Sequence, residues 1–549
     1  MKITACSIVK NEAHNIVRSI ESYKTAVDEI IIVDTGSTDN TVDICKSYGA
    51  KMLFYEWNND FSAAKNFALE SANGDWIIFL DADEWFVPKL SRKVITDVLK
   101  QIDLVADGLM TTMCEYNYKT DKVFAREVTT RIFRNSKQIW FIGSIHERLK
   151  NNGSEITQAH CPDLEIFHSG YSNGLVEKKS KRNIDILYSS YNKGNKTTAL
   201  YYYLFRENYI LGYKEEAVKF YELFFKQEDA DYIVKNDSGI ICIYEFMYRI
   251  MEQNPKDFTK NNIDILLETA YKKYPKLPMH SYLLGCEQLK ANKFGESFEW
   301  FNNAIKLNNQ YLEPFTNSFV AFLSDTYYKM GCISQVQGNP EQALSYCMQA
   351  VKGSSNIELE VILQKLVNII EAEPEEDIIL FLNGLLDMKK KESVEAVLAA
   401  LKMTRLHKAF VYYALKYNQE FDGQDETTYI AMILTGQVEQ AIETAIAARK
   451  NAREKLVDET NVAICDNWNM DYAVISVLYS KSKVLYEKYR VNFSSVQRGI
   501  IEAYLGGKMI EKSSIQYREE CEKIYDKAFY ILTEQEIHNF EMFFRSKIF

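Results

Sequence analysis

The sequence is poor in proline and glycine, with 8 prolines and 22 glycines among 549 residues. Because these residues interrupt helices and are frequent in the turns of β-sandwiches, their scarcity favours long helices. A chain of this length is too long for one hydrophobic core, so we expect about two to four domains. The 36 tyrosines and 30 phenylalanines suit the cores between packed helices.

Other features are missing as well. The ten cysteines include no Cys-x-x-Cys pair, which argues against a structural zinc site or a disulfide framework. The N-terminus lacks the charged, apolar and small-residue parts of a signal peptide. No run approaches the roughly 18 apolar residues of a membrane-spanning helix. We therefore expect a cytoplasmic protein without an integral membrane segment.

Positive charge is outnumbered, since 76 Asp and Glu stand against 65 Lys and Arg, which gives a formal net charge of −11 and an isoelectric point of about 5.4. This balance argues against nucleic acid as a partner. A phosphate-bearing substrate would need local positive charge, and the sequence has two such clusters. They consist of Arg126, Arg131 and Arg134, and of Lys178, Lys179, Lys181 and Arg182.

Residues 1 to about 175 alternate between short apolar runs and segments with helical spacing. The apolar runs are 3–9, 29–33, 51–55 and 76–80, and the helical segments are 12–24, 41–48 and 63–72. This alternation predicts a mostly parallel sheet covered on both faces. Ligands of such sheets bind beyond the carboxyl ends of the strands, where Asp34 and Asp81 lie.

Helical periodicity dominates the remainder of the chain. A weak repeat places a small residue and then apolar residues after Gly212, Gly285, Gly338 and Gly436. This pattern favours tetratricopeptide-like helix pairs over a generic helical bundle, and stacked pairs offer a concave surface for an extended peptide. We predict three domains: a catalytic domain at 1–183, a tetratricopeptide-like domain at 184–360 and an all-α region at 361–549.

The strongest chemical signal is the sequence LDADE at residues 80–84, directly after an apolar run. Carboxylates two positions apart at a strand end can bind a hard divalent cation, which in turn bridges a diphosphate. A single Asp-x-Asp also occurs as a pair of turn or helix-capping residues. Here it follows three further elements, which are SIVKNE at 7–12, IVDTGSTD at 32–39 and NDFSAAKN at 59–66.

This ordered set resembles the family 2 glycosyltransferases, which have the GT-A fold, densely over residues 3 to 90. The resemblance implies an α/β, Rossmann-like nucleotide-sugar domain ahead of the helical region. It implies that Asp34 holds uracil or ribose, that Asp81 contacts ribose or the metal, and that Asp83 binds the metal. The residues implied to line the nucleotide-sugar site are Ile8, Lys10, Asn11, Glu12, Asp34, Asp60, Lys65, Asp81, Ala82, Asp83, Lys178 and Arg182.

His168 resembles the additional metal ligand of GT-A enzymes, and we favour this role over that of an ordinary polar residue. A histidine beside a carboxylate would favour Mn²⁺ over Mg²⁺. Lys178 and Arg182 are four residues apart and share a helix face. They either reach a phosphate or belong to a solvated basic face.

An inverting transfer needs a base that takes the proton of the acceptor. Glu147 is the first candidate because it follows the acceptor-side segment in the order of this family. The usual pair of acidic residues is replaced here by His146-Glu147, so Glu84 and Asp60 stay as alternatives.

The resemblance implies an inverting, metal-dependent transfer of a sugar from a UDP-sugar. A family 2 domain followed by tetratricopeptide-like helices is similar to bacterial protein and peptide glycosyltransferases, both flagellin-modifying O-glycosyltransferases and sublancin-type S-glycosyltransferases. We favour GlcNAc as the sugar and serine or threonine of a protein as the acceptor. Flagellin is the favoured acceptor protein. The alternatives are a helical scaffold or chaperone with a degenerate transferase domain, an S-glycosyltransferase and a glycan-directed transferase. A homodimer through the helical region stays open.

Overall fold

The structure is a computed structural model that describes residues 1–102, 105–118, 122–169, 175–236, 239–311, 313, 315–353, 359–421, 426–455, 459–506, 515–531 and 538. The described residues form two compact units. The first contains the chain from Met1 to Ile333 together with Gly353, and the second contains 334–352 and the described residues from 359 onward. The predicted boundaries after residues 183 and 360 stay predictions.

The first unit begins with an α/β domain. Its strands are β1 (Ile3–Val9), β2 (Glu29–Asp34), β3 (Lys51–Phe54), β4 (Trp76–Phe79), β5 (Glu84–Val87), β6 (Gly108–Asn117), β7 (Lys122–Arg134), β8 (Ile139–Ile142), β9 (Arg148–Asn151), β10 (Ser154–Glu155) and β11 (Gln158–His168). Its helices are α1 (Ile16–Tyr23), α2 (Thr41–Ser47), α3 (Phe61–Glu70) and α4 (Arg92–Ile102).

Eight strands form one sheet in the order β3-β2-β1-β4-β7-β6-β11-β5, and β10-β9-β8 form a second, smaller sheet. The four strands predicted from the apolar runs are parallel neighbours, which confirms that part of the prediction. The large sheet as a whole is mixed, because β7 runs antiparallel to β4 and β5 antiparallel to β11. The predicted helix at 12–24 starts later, at Ile16, because residues 13–15 form a turn ahead of it.

Both faces of the large sheet are buried, which explains why its central strands are continuously apolar. Successive residues of β2 enter different cores. Ile32 packs with α1, α2 and α4, whereas Ile31 and Val33 pack with α3 and the small sheet. The carboxyl ends of β1, β2 and β4 therefore meet at one edge, with the loop 80–84 directly after β4.

Helices make up the rest of the first unit. They are α5 (Leu175–Asn192), α6 (Thr198–Ile210), α7 (Lys214–Phe225), α8 (Ala230–Asn236), α9 (Ile243–Gln253), α10 (Lys260–Lys273), α11 (Pro278–Lys290), α12 (Phe294–Asn309) and α13 (Leu323–Val336), and 3₁₀ turns lie at Ile240–Cys242 and Ser318–Phe322. The boundary between the units falls within α13.

The second unit is also helical within its described residues. Its helices are α14 (Pro340–Lys352), α15 (Leu359–Ile370), α16 (Glu375–Leu385), α17 (Lys391–Lys402), α18 (His407–Phe421), α19 (Glu426–Leu434), α20 (Val438–Lys455), α21 (Glu459–Ser480), α22 (Lys483–Tyr489), α23 (Ser495–Gly506) and α24 (Ile515–Ala528), with a 3₁₀ turn at Arg490–Asn492. The expected fold class, a GT-A-like α/β domain followed by an all-α, tetratricopeptide-like region, is confirmed.

Helix pairs such as α6 with α7 and α11 with α12 pack against each other. Their turns share a left-handed residue, at Gly212 (φ 77°), Asn292 (φ 57°) and Gly436 (φ 78°). The repeat placed at Gly285 is therefore offset, because this glycine lies inside α11 and the turn residue is Asn292. Gly285 instead permits close packing, since an added Cβ would lie 2.7 Å from the ring of Phe301.

One segment of the helical part returns to the large sheet. β4 pairs only with residues 132–134 of β7, which leaves the earlier part of that edge to another partner. Asn317 fills it, donating its N–H to the carbonyl of Arg126 (2.7 Å) and accepting the N–H of Arg126 (3.3 Å). The strand that carries Glu127 and Arg131 is thus completed by a residue from the helical part of the unit.

No helix within the described residues has the length and apolar character that crossing a membrane requires.

Candidate active site

The Asp-x-Asp pair lies where the sequence predicts it, in the loop between β4 and β5. Asp81 is half-buried and faces two cations, Lys65 Nζ at 3.3 Å and Arg131 NH2 at 3.5 Å. Burial alone would raise the pKa of Asp81, but Lys65 and Arg131 hold it below its usual range. Ala82 between the two acids packs into the core.

Lys65 connects Asp81 to the predicted base. The lysine lies on α3 and is 3% exposed, and its ammonium forms an ion pair with Glu147 as well as with Asp81. Burial alone would lower the pKa of Lys65, but the two carboxylates raise it. A buried cation of this kind needs its partners, so it draws Glu147 into the cleft beside the Asp-x-Asp loop.

The loop itself is held by a buried ion pair. Arg131 of β7 donates from Nε (2.8 Å) and NH2 (2.5 Å) to the two oxygens of Glu84, which is 1% exposed. Such bidentate pairs fix geometry strongly. Since both oxygens of Glu84 are engaged by Arg131, the geometry favours Glu147 over Glu84 as the base.

Asp83 faces the second predicted metal ligand. Its Oδ2 lies 3.5 Å from His168 Nε2 and 3.2 Å from Lys179 Nζ. The other ring nitrogen of His168, Nδ1, lies 2.9 Å from Glu115 Oε2. Burial opposes the charged ring, but Glu115 and Asp83 raise the pKa of His168 well above its ordinary value.

These donors fit a divalent cation. A metal-binding histidine usually bonds a carboxylate through its second ring nitrogen, and Glu115 supplies that bond. Carboxylate and imidazole together suit Mn²⁺. Among the residues that the structure describes, no three or more His, Cys, Asp or Glu side chains are grouped to hold an ion. Asp83 and His168 would thus supply two ligands, and a diphosphate would supply others.

A further carboxyl group approaches this pair from β7. Glu127 accepts a hydrogen bond from Thr316 Oγ1 (3.3 Å). Burial, followed by the negative charge of Glu115, raises the pKa of Glu127 to about 7. Glu127 therefore holds its proton more tightly than an ordinary glutamate does.

The predicted nucleotide-binding residues after β1 and β2 occupy two interlocked loops. Thr38 donates its N–H to Asn11 Oδ1 (2.7 Å), and Asn11 donates its N–H to Ser37 Oγ (2.9 Å). Asp34 is buried and accepts the N–H groups of Gly36 and Ser37 at 3.0 Å. The residues at the mouth of these loops are exposed Lys10 and half-buried Ile8 and Glu12.

Three other predicted residues lie around the helices. Asp60 caps α3 by accepting the N–H of Ala63 (3.0 Å), a structural role that makes it a weaker candidate for the base. The guanidinium of Arg182 lies 5.0 Å from the ring centroid of Phe61. Lys178 belongs to α5, but its side chain lies outside the described residues, so its predicted phosphate contact stays a prediction.

The sequence reasoning missed Glu115 altogether and treated Arg131 and Lys179 only as members of basic clusters. Glu115 and His168 are direct neighbours on the paired strands β6 and β11. A sequence alone does not give the register of strands about fifty residues apart. The available signal was a carboxylate in a strand otherwise rich in apolar residues.

Comparison with known proteins fits this geometry. Residues 4–151 match the model of glycosyl transferase family 2, so the first unit contains a domain of that family. A TPR repeat-containing protein of Synechococcus elongatus is 34% identical over 185 residues, 32% of this chain and 44% of the relative. The SPbeta prophage-derived glycosyltransferase SunS of Bacillus subtilis is 30% identical over 226 residues, 40% of this chain and 52% of the relative.

The chain spans about half the length of these two curated relatives. Among solved structures, S. aureus TarS aligns with 48% of this chain and 55% of that chain, at 16% identity and a TM-score of 0.28. This likeness is too weak to support a structural argument.

Proposed function

We propose that the protein is an inverting, metal-dependent glycosyltransferase that moves a sugar from a UDP-sugar to serine or threonine of a protein. GlcNAc is the favoured sugar. The observation that supports this proposal most is the chain of charges that runs from Asp81 through the buried Lys65 to Glu147. Buried charges of this kind are expensive. A helical scaffold with a degenerate domain has no use for them, so the alternative without activity is less favoured.

The residues divide into two groups around the donor. Asp34 and the loops of Lys10 and Glu12 would bind the nucleoside, and Lys179 would approach the diphosphate. A divalent cation on Asp83 and His168 would neutralise the charge that develops on the departing diphosphate. Mn²⁺ or Mg²⁺ would fill this role.

Glu147 would act on the acceptor. The acceptor oxygen attacks the anomeric carbon as the bond from that carbon to the diphosphate breaks. Its proton passes to Glu147, and the bonding electron pair leaves with UDP. Lys65 would keep Glu147 at the cleft and would have to release it from tight pairing for the proton transfer.

The helix pairs that follow the family 2 domain are the reason for proposing a protein acceptor, with flagellin as the favoured candidate. Such pairs suit the binding of an extended segment. Transfer to a cysteine, transfer to a glycan, and a dimer through these helices are the remaining candidates, and no contact within the described residues favours them.

The test is a donor panel of UDP-GlcNAc, UDP-Glc, UDP-Gal, a GDP-sugar and a dTDP-sugar, each with and without Mn²⁺. We expect one UDP-sugar to raise the melting temperature and to be slowly hydrolysed, both only with metal. The Asp83→Ala variant should lose this turnover. Asp43→Ala, at an exposed carboxylate of α2 that lies 3.9 Å from Lys46 Nζ, is the matched control and should retain it. An Asp83→Ala variant that folds and turns over at the wild-type rate would refute the metal assignment.

A further inference from the structure

The loop that carries Glu147 has an unusual backbone. Gly143 and His146 both have left-handed conformations, with φ of 107° and 52°. Glycine adopts this region freely, but a histidine does so at an expense of about 1–3 kcal/mol. Such a conformation persists only where the surroundings impose it, so the contacts of His146 decide where the neighbouring Glu147 points.

Those contacts come from one helix, α6. The imidazole of His146 stacks on the ring of Tyr203, with centroids 3.9 Å apart and planes inclined by 12°. Its Nε2 lies 3.3 Å from Arg206 NH2 and 3.7 Å from Glu207 Oε1. Residues three and four positions apart share a helix face, so Tyr203, Arg206 and Glu207 form one surface against the ring.

This surface is held by burial and by a hydrogen bond within it. Glu207 is fully buried and accepts a 2.7 Å hydrogen bond from Arg206. Burial opposes its charge, but His146 and Arg206 lower the pKa of Glu207 to about 2. The loop is also tied at its other end, where Phe61 at the start of α3 donates its N–H to the carbonyl of Ser144 (2.9 Å). The carboxylate of Glu147 is therefore fixed between α3 and α6.

We propose that His146 is a positioning residue for Glu147 and that α6 thereby belongs to the transferase site. The inference rests on the proposed function, in which Glu147 is the base. His146 touches no reacting atom in this arrangement. Through its contacts with α6, His146 sets the direction in which the carboxylate of Glu147 points. A displacement of about 1 Å at such a group lowers a rate by about 100-fold.

Tyr203→Leu tests the proposal, because it removes the stacking partner while keeping an apolar side chain on α6. The matched control is Tyr209→Leu on the same helix. Tyr209 is likewise half-buried and stacks on an aromatic ring, that of Phe246 at 4.8 Å, away from the loop. His146→Asn is the second variant, since asparagine tolerates the left-handed backbone but lacks the ring.

The kinetic measurement is UDP release from the donor that the wild type hydrolyses, with water and with azide as acceptor. Azide attacks the anomeric carbon as an anion and has no proton to give up, so it needs no base. We expect Tyr203→Leu and His146→Asn to lower kcat with water by about 10- to 100-fold. The donor KM and the azide rate should stay at wild-type values, and Tyr209→Leu should match the wild type in all three.

Equal losses with water and azide, or unchanged kcat in Tyr203→Leu, would overturn the proposal. Hydrogen–deuterium exchange of the peptide 139–149 provides a readout without turnover. We expect faster exchange there in Tyr203→Leu than in Tyr209→Leu, and equal exchange would contradict the role of α6. If the wild type releases UDP from no donor, the proposed function fails, whereas the exchange comparison still decides whether α6 holds the loop.

Discussion

Replacing Lys65 by methionine takes a buried ammonium away from two carboxylates. The side chain is of similar length, so the main change is electrostatic. Asp81 is half-exposed and keeps Arg131 at 3.5 Å. Within the part of the chain that the structure describes, Glu147 has no other cation at ion-pair distance. The variant therefore leaves the half-buried Glu147 beside Asp81 without its compensating charge.

Breaking a buried pair by removing one partner costs about 3–5 kcal/mol. Because Asp81 retains Arg131, we expect the lower end, a loss of about 3 kcal/mol in the free energy of unfolding of the first unit. In the double variant Lys65→Met with Glu147→Gln, the uncompensated charge is gone. We expect the loss to shrink to about 1 kcal/mol, so the second substitution should restore about 2 kcal/mol.

The assay is guanidinium denaturation followed by tryptophan fluorescence, since four of the six tryptophans lie within residues 57–140. Lys24→Met removes an exposed partner of Glu21 and should leave the midpoint unchanged. A double variant as unstable as Lys65→Met alone would refute the reasoning, because the cost would then not arise from the stranded carboxylate.

Three further predictions concern pH, packing and domain extent. Burial, followed by the charge of Arg206, lowers the pKa of His146 to about 4. A lowered histidine pKa stabilises the fold above pH 6.5, and this contribution is lost as the pH falls towards 4. Between pH 7 and 5 the wild type should therefore lose about 2 kcal/mol more stability than His146→Asn, as measured by urea titration. Gly285→Ala should lower the free energy of unfolding by about 1–3 kcal/mol, because the new methyl group overlaps with the Phe301 ring. Gly295→Ala, with nothing within 4 Å of the new Cβ, should raise it by about 0.5–1 kcal/mol. Equal effects of the two substitutions would contradict the packing argument. A chain that ends at residue 333 should hydrolyse the donor, whereas a chain that ends at residue 183 should not, because it lacks α6. If both chains hydrolysed the donor at the same rate, this would count against the role of α6.

The sequence predicted the first half of the α/β domain well because its signals are local. Each of the strands β1, β2 and β4 is an apolar run that ends at a polar turn, and two of those turns place Asp34 and Asp81 at one edge. Asp83 and His168, which we predict as metal ligands, lie 3.5 Å apart, and their role as ligands stays a prediction. For β1, β2 and β4 the order of the motifs was sufficient, since their parallel arrangement follows from the strand–helix connections. His168, on β11, was placed by the family resemblance and not by register.

The second half depends on pairings that no local pattern gives. β6, β7 and β11 meet across long separations, so Glu115 beside His168 and Arg131 beside Glu84 could not be read from the sequence. The same holds for Tyr203 against His146, since a residue of the helical part completes a loop of the α/β part. The turn at Asn292 does not fit a repeat defined by glycine, because asparagine also tolerates a left-handed backbone.

The hydrogen bonds between Arg126 and Asn317 have a consequence for synthesis. About 190 residues separate the two positions in the chain, and ribosomes add about 5–20 residues per second. Arg126 of β7 is therefore synthesised about 10–40 seconds before its partner Asn317. During that interval the backbone groups of Arg126 lack the partner that Asn317 later supplies, so the nascent strand that bears Glu127 and Arg131 has unpaired backbone groups at its edge.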